Sequence, residues 1–372
     1  MSILELTPLE QSAVKRATVD VIVPCYNYGR YLRECVQSVL SQEGVGVRVL
    51  ILDDASSDET KEVGHEFAMR DTRVEYRRHP VNCGHIDTYN EGLQWATGDF
   101  MLLLSADDAL YPHALRTAAS IFLKHPEVGL VYGQANAGLE MMEQGPADAF
   151  TDYRLVSANV FLNRCYKEIV NPVPTPAAIV RTSVQKRIGG YRKDLPHTAD
   201  LEMWMRFALH GRVGISNSIF AFYRRHANNM TYKCIHPGLA DLAEFHKAFT
   251  TLFDTQGEHI SNVMALRESA AQSIAWKAFW SAHEQLEGGN PRICSTCLAF
   301  AKQVFPDIVH TRQWRRMRLK RLLCSLPFQL INYFRYQDRA KRQPIGNPSV
   351  WGWWPSLKEL AVVESHSFGD SI

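Results

Sequence analysis

Val19-Asp20-Val21-Ile22-Val23 runs into Pro24-Cys25-Tyr26-Asn27-Tyr28-Gly29, and Val47-Arg48-Val49-Leu50-Ile51-Leu52 runs into Asp53-Asp54-Ala55-Ser56-Ser57-Asp58. Each is an apolar, β-rich run without polar alternation that ends in a polar turn. Strands buried on both faces have this composition. Between them Leu32, Cys35, Val36, Val39 and Leu40 recur at the spacing of one helix face. The order strand, helix, strand therefore predicts parallel pairing.

The pattern continues outward. Residues 100–104 (FMLLL) are a third buried run, and residues 74–77 and 128–132 are further strand candidates. Ser56 and Glu59 have capping-box spacing and predict a helix start there. Pro112 predicts another, reaching about Lys124. The expected fold class is α/β: a mostly parallel, Rossmann-like sheet flanked by helices, with ligands at the carboxyl ends of its strands. Signals weaken over 133–176, where Asn171-Pro172-Val173-Pro174-Thr175-Pro176 marks a rigid extended stretch. A strand (177–181), a short helix, a helix over 200–210 and a strand over 215–223 follow. Beyond Pro237 the pattern is helical to about Phe305, broken at Gly288-Gly289-Asn290-Pro291. The expected division is an N-terminal arm (1–17), an α/β domain (18–235, in halves 18–132 and 133–235), a helical extension (236–310) and a basic, Trp-rich segment (311–372).

Composition narrows the function classes. The 372 residues are 46% hydrophobic and 22% charged, which excludes a disordered or uniformly basic chain. The formal net charge of +2 is a cancellation. Residues 312–342 hold ten basic residues against Asp338, a net of +9, which leaves −7 for the rest. No signal-peptide pattern opens the sequence, and no apolar run approaches the ~20 residues of a membrane helix. Eight cysteines without a secretory signal read as reduced thiols, and the Cys294/Cys297 pair has no second pair or histidine partner nearby. The expected location is cytoplasmic.

Four polar clusters fall at predicted strand ends or helix starts: 24–29, 53–58, Ser105-Ala106-Asp107-Asp108 and His197-Thr198-Ala199-Asp200. Asp58 reads first as a helix cap. Asp107 and Asp108 repel one another after a buried strand, and a hard divalent cation, Mg²⁺ or Mn²⁺, would relieve that. No GxGxxG or GxxxxGK[ST] loop is present to cradle phosphate.

These segments, with Asn82-Cys83-Gly84-His85-Ile86, Asn90-Glu91-Gly92-Leu93 and Gly98-Asp99-Phe100, resemble glycosyltransferase family 2 over about residues 18–230. The resemblance implies a GT-A fold and metal-dependent, inverting transfer from a nucleotide sugar, UDP-linked by expectation, to a glycan or lipid-linked acceptor. Carried over position by position, it places Pro24, Tyr26, Asn27, Asp54 and Asp107 at the nucleotide and Asp107, Asp108 and His226 at a Mn²⁺ or Mg²⁺ ion. It makes Asp200 the catalytic base, with Trp204 and Arg206 also matching. His85, Arg224 and Arg225 become donor or diphosphate contacts. Two departures stand out: Ser105 replaces the first Asp of the usual Asp-Ala-Asp-Asp, and Ala199 replaces the Glu before Asp200. At a helix N-terminus Asp200 is expected to have a lowered pKa.

Those departures keep open a binding module of the same fold that holds a nucleotide sugar without catalysis. A nucleotidyltransferase would need a glycine-rich loop that residues 24–29 do not supply. The basic run 312–342, next to an apolar aromatic stretch, suits peripheral contact with an anionic membrane at its inner face. A solvated basic helix is the alternative. No nucleic-acid-binding signature accompanies the charge.

Overall fold

The computed structural model describes residues 2–3, 12–14, 16–141, 152–227, 229, 239–323 and 350–356. The chain divides into two compact units, one built from 1–165, 170–232 and 349–372, the other from 166–169 and 233–348.

The first unit is a mixed sheet with eleven strands among the described residues, in the path β1-β8-β10-β7-β9-β5-β2-β3-β4. The opening segments form what their composition dictates. β2 (Thr18–Cys25) pairs in parallel with β3 (Gly46–Asp53) and β5 (Phe100–Leu103), and β3 with β4 (Val74–Arg78). Val21, Ile22, Val23, Leu50, Ile51 and Leu102 have no exposed surface. Helix α1 (Gly29–Leu40) buries Leu32, Cys35, Val36 and Val39, the face its spacing marks. Helices α2 (Thr60–Arg70) and α3 (His85–Trp95) complete the wound half.

Parallel pairing does not extend to the whole sheet. β9 (Ala178–Arg181) runs antiparallel between β5 and β7 (Val128–Gly138), and β8 (Asp152–Val156) antiparallel to β10 (Arg212–Arg224). Short β6 (Ala109–Leu110) is antiparallel to β10, β1 (Ser2–Ile3) to β8, and β11 (Val350–Trp351) to β7. β7 and β10 are parallel to each other. β7 extends six residues past the expected strand, because its polar Gln134 and Asn136 are buried rather than turned to a loop.

Two helix starts differ from expectation. There is no capping box at Ser56: α2 begins at Thr60, whose N–H donates to Asp58 Oδ1 at 3.1 Å, while Asp58 Oδ2 accepts the Gly29 N–H at 2.9 Å. One carboxylate thus caps two helix starts, which approach so closely that a Cβ on Gly29 would lie 2.6 Å from the Thr60 nitrogen. Helix α4 (Ala114–Lys124) starts after His113, a left-handed residue at φ +67°, rather than at Pro112.

Helices α5 (Ala158–Glu168), α6 (Thr182–Ile188) and α7 (Ala199–Leu209) complete the helices that precede β10. The second unit is helical: α8 (Leu239–Gln256), α9 (Val263–Glu287), α10 (Pro291–Val304) and α11 (Arg312–Leu323). Its helical stretch also breaks at Gly257–His259, a 3-10 turn without a signal in the sequence pattern. Cys294 and Cys297 are buried on α10. Of the basic run, Arg335, Arg339, Lys341 and Arg342 lie outside the described residues, as do most of the N-terminal arm and the aromatic stretch after Leu323.

Candidate active site

The site lies at the carboxyl ends of β2, β3, β5 and β10. After β2 and β3 the chain turns through Asn27 (φ +59°) and Ala55 (φ +60°), both left-handed. The two turns are laced together: Asn27 N–H donates to Ser56 Oγ at 3.0 Å, and Ser57 N–H to Asn27 Oδ1 at 2.8 Å. Asn27 therefore shapes the pocket through its backbone turn and its amide. Pro24 is half-buried beside it, while Tyr26 stands 50% exposed, an aromatic face at the rim.

Asp54 is buried, and its carboxylate is occupied from within. Oδ1 accepts the Cys83 N–H at 2.7 Å and faces His79 Nδ1 at 2.8 Å, and Oδ2 accepts the Gly84 N–H at 3.0 Å. It thus holds the turn that starts α3. His79 Nε2 meets Glu91 at 2.9 Å. Burial works against a charge on His79, yet the two carboxylates prevail and its pKa ends raised. Asp54, His79 and Cys83 bring ligand atoms within 4.8 Å of one another, the only such group among the described residues. Both imidazole nitrogens already face carboxylates, so this is a hydrogen-bonded cluster.

Asp107 and Asp108 are buried, 5% and 3% exposed, between β5 and β6. Burial raises the pKa of both, and for Asp108 the neighbouring Asp107 adds to it. Asp107 Oδ2 lies 3.1 Å from His226 Nε2 and accepts from Asn229 Nδ2 at 3.2 Å. Asp108 Oδ1 accepts the Arg224 N–H at 3.0 Å. His226 stacks on Tyr31 (5.1 Å between centroids) and meets Tyr28 edge-on (5.4 Å), which fixes its ring. The end of β10 thus brings His226 to Asp107 and the Arg224 backbone to Asp108. Two adjacent carboxylates forced above their ordinary pKa, with an imidazole beside them, form a hard donor set that fits Mg²⁺ or Mn²⁺. As placed, the three donors do not gather within 4.8 Å of one another.

Arg224 departs from expectation. Its guanidinium donates to the Asp107 carbonyl at 3.0 Å and the Leu139 carbonyl at 3.1 Å, pairs with Glu34, and lies over the Tyr31 ring at 4.9 Å. It braces the aspartate turn from inside, being 7% exposed, instead of reaching a diphosphate. Arg225 is the more exposed of the two arginines. His85 Nε2 bonds the Pro196 carbonyl at 3.0 Å, tying the start of α3 to the loop before α7. Asn90, read in sequence with the donor-pocket segment, instead exchanges hydrogen bonds with the Tyr191 backbone at 2.7 and 3.0 Å.

Asp200 is the second residue of α7. Its Oδ2 accepts from Asn171 Nδ2 at 2.8 Å and Thr175 Oγ1 at 3.1 Å, and Oδ1 accepts the Leu201 N–H at 2.7 Å. Burial raises its pKa more than these bonds lower it, so the net shift is upward. The lowered pKa expected from the helix N-terminus is thus overturned, because desolvation outweighs the helix end. Further along α7, Arg206 pairs with Glu202 and donates to the Gly190 carbonyl at 2.7 Å, anchoring the helix to the Gly189–Tyr191 turn.

One central residue carries no signal in the sequence. Tyr89 on α3 stacks edge-on with His85 and Tyr191, and burial together with Asp107, Asp200, Tyr28 and Asp108 raises its hydroxyl pKa. It lies in the field of both the Asp107–Asp108 pair and Asp200. The asparagine and threonine of the 171–176 stretch, read only as a rigid segment, are the residues that aim Asp200.

With this geometry in place, known proteins supply a further test. Residues 20–189 match the model described as Glycosyl transferase family 2. Over that segment the chain is similar to glycosyltransferase family 2. Hyaluronan synthase of Pasteurella multocida is 33% identical over 129 residues, 34% of this chain and 13% of that protein. Among solved structures, S. aureus TarS 1–349 in complex with UDP-GlcNAc superimposes with a TM-score of 0.58 at 18% identity, covering 78% of this chain and 82% of that one. A Pyrobaculum calidifontis mannosyltransferase in complex with GDP-Man and Mn²⁺ gives 0.52 at 15% identity, covering 83% and 85%. These likenesses establish the GT-A fold. The chain spans between 9% and 63% of the length of the curated relatives it matches.

Proposed function

We propose that the family 2-like domain is a metal-dependent, inverting glycosyltransferase that uses a nucleoside-diphosphate sugar, UDP-linked by preference. The observation that carries this is the pairing of two sites at one sheet edge: the buried Asp107–Asp108 turn with His226, and the held carboxylate of Asp200. Pro24, Tyr26 and Asn27 line the nucleoside end, where the half-exposed Tyr26 ring suits a base, and Asp54 supports it from beneath by holding the turn before α3. A Mn²⁺ or Mg²⁺ ion held by Asp107, Asp108 and His226 would offset charge developing on the leaving diphosphate. Arg225 is the protein's own candidate for the same charge.

Asp200 takes the proton from an acceptor hydroxyl as its oxygen bonds the anomeric carbon. The bond from that carbon to the diphosphate oxygen breaks on the opposite face, releasing the nucleoside diphosphate with its electron pair. A raised pKa suits this work, since a more basic carboxylate accepts a proton more readily. Asn171 and Thr175 keep Oδ2 in place. The solved complexes of fold relatives with UDP-GlcNAc and with GDP-Man and Mn²⁺ support the donor class. Titration calorimetry with UDP and GDP, in Mn²⁺ and again in EDTA, tests the reading: binding is expected only with metal, and equal binding in EDTA would count against it.

Peripheral membrane contact is part of the proposal. On α11, Leu319 and Leu322 are 58% and 68% exposed among Arg312, Arg315, Arg316, Arg318, Lys320 and Arg321, which carry the positive charge of the helix. No helix among the described residues is long and apolar enough to cross a membrane. Co-sedimentation with phosphatidylglycerol vesicles should fall when Arg315, Arg316 and Arg318 are all changed to Gln, and unchanged binding would discard the contact. The acceptor is then a glycan, free or lipid-linked.

A further inference from the structure

β11 comes from far along the chain and lies on β7, with Val350 opposite Asn136 and Trp351 opposite Ala135. The segment after it is firmly anchored. Trp353 N–H donates to the Pro172 carbonyl at 3.1 Å, and the Tyr132 hydroxyl donates to the Trp353 carbonyl at 3.4 Å. The guanidinium groups of Arg164 and Arg154 lie 5.6 and 4.1 Å from the ring centroids of Trp353 and Trp354. Trp353 and Pro355 are buried, whereas Trp351 keeps part of its surface open.

The register says which way Trp351 faces. Ala137 on β7 lies beside Tyr223 on β10. Alternate residues of a strand share a face, so Trp351, Ala135, Ala137 and Tyr223 stand together on one side of the sheet. The two alanines leave the space above β7 clear, and the Trp351 and Tyr223 rings meet across it, 5.7 Å apart at 77°. An edge-on pair of this kind holds both rings in place, and Trp351 keeps part of its surface exposed.

Both ends of this aromatic pair lead to the site. Tyr223 acts electrostatically on the Tyr28 hydroxyl, as does Asp107, and the Tyr28 ring packs against His226. On the other side, the strand's anchor Pro172 is the neighbour of Asn171, which holds Asp200.

We propose that Trp351, buttressed by Tyr223, is the platform of an acceptor subsite that receives the flat C–H face of a pyranose ring. The segment that carries Trp351 is tied through Trp353 to Pro172, next to the Asn171 that holds Asp200, and this link assigns the platform to the acceptor. The platform commits the acceptor to a sugar, as opposed to a protein side chain or a simple alcohol. The inference rests on the glycosyl-transfer reading and names its acceptor class.

Saturation-transfer NMR on the full chain with UDP and Mn²⁺, probed with methyl glucopyranoside, galactopyranoside and N-acetylglucosaminide, separates the two. If UDP gives no signal with the wild type, the transferase reading fails first. If UDP binds, ring C–H signals from at least one pyranoside are expected, with affinity reduced about tenfold in Trp351→Leu and kept in Trp351→Phe. Leucine keeps an apolar side chain without an aromatic face, so loss in Trp351→Leu together with retention in Trp351→Phe marks the ring itself. UDP binding equal in all three proteins shows that the fold is intact. Pyranoside signals that survive in Trp351→Leu, or that are absent from the wild type while UDP binds, would overturn the proposal.

Discussion

Asp200→Asn isolates the step on which transfer depends. The substitution keeps the shape of the side chain and removes its capacity to accept a proton at neutral pH. In the structure Oδ2 accepts from both Asn171 and Thr175, so an asparagine would present its carbonyl oxygen to that pair. Its amide would then face the Leu201 N–H, donor against donor, where Oδ1 now accepts at 2.7 Å. Loss of that one bond costs about 1 kcal/mol of stability. Loss of the base is the larger effect: a positioned general base contributes about 10²–10⁴ in rate, or roughly 3–5 kcal/mol of barrier. Turnover should therefore fall about a thousandfold while UDP affinity, set at the β2, β3 and β5 ends, changes less than about twofold. The assay is released nucleoside diphosphate in the presence of acceptor, paired with titration calorimetry. Asp200 works as the carboxylate, and its folded pKa is raised, so the acid limb of kcat/KM should lie above the ordinary aspartate value of about 3.9. Thr175→Val removes a bond that lowers this pKa, so the limb should move to higher pH. A variant Asp200→Asn that keeps more than a tenth of wild-type turnover, or a limb that ignores Thr175, would refute the reasoning.

Other consequences follow from the buried site. Asp108→Asn removes one of two crowded carboxylates, whose folded pKa values are raised and which therefore destabilise the metal-free protein above those values. In EDTA the variant should melt several degrees higher, at about 2–4 °C per kcal/mol, while metal-dependent transfer is lost, as calorimetric scanning beside the activity assay would show. Gly92→Ala on α3 would set a Cβ 2.3 Å from Ile22 Cγ2 in the core of β2, so denaturant unfolding should report a loss of about 1–3 kcal/mol.

The wound half of the sheet is legible in the sequence because fully buried strands and a single helix stripe leave a strong apolar signal at Val21–Val23, Val49–Leu52 and Leu32–Val39. The paired aspartates after β5 and the histidine after β10 are visible as motifs. What escapes depends on long-range contact. Asn171 and Thr175 acquire their meaning only when a segment 25 residues or more from Asp200 folds onto it. Tyr89 looks like any helix aromatic until the folded chain places it between two acidic sites. The direction of the Asp200 shift reverses the sequence expectation because a helix end is a local feature, while desolvation comes from residues distant in sequence. Arg224 follows the same logic: its charge is legible, but the carbonyls of Asp107 and Leu139 that claim it are not. The return of β11 to β7 has no local signal at all, since its pairing partner lies over 200 positions away.

The central claim is that this chain breaks the glycosidic bond of a nucleotide sugar with the help of a divalent ion. Purified protein incubated with a panel of UDP- and GDP-sugars in Mn²⁺, with released nucleoside diphosphate measured over time, tests it most directly. Release is expected from at least one UDP-sugar, abolished by EDTA and not supported by Asp107→Asn. Absence of release from every donor, or release at the same rate in EDTA, would contradict it.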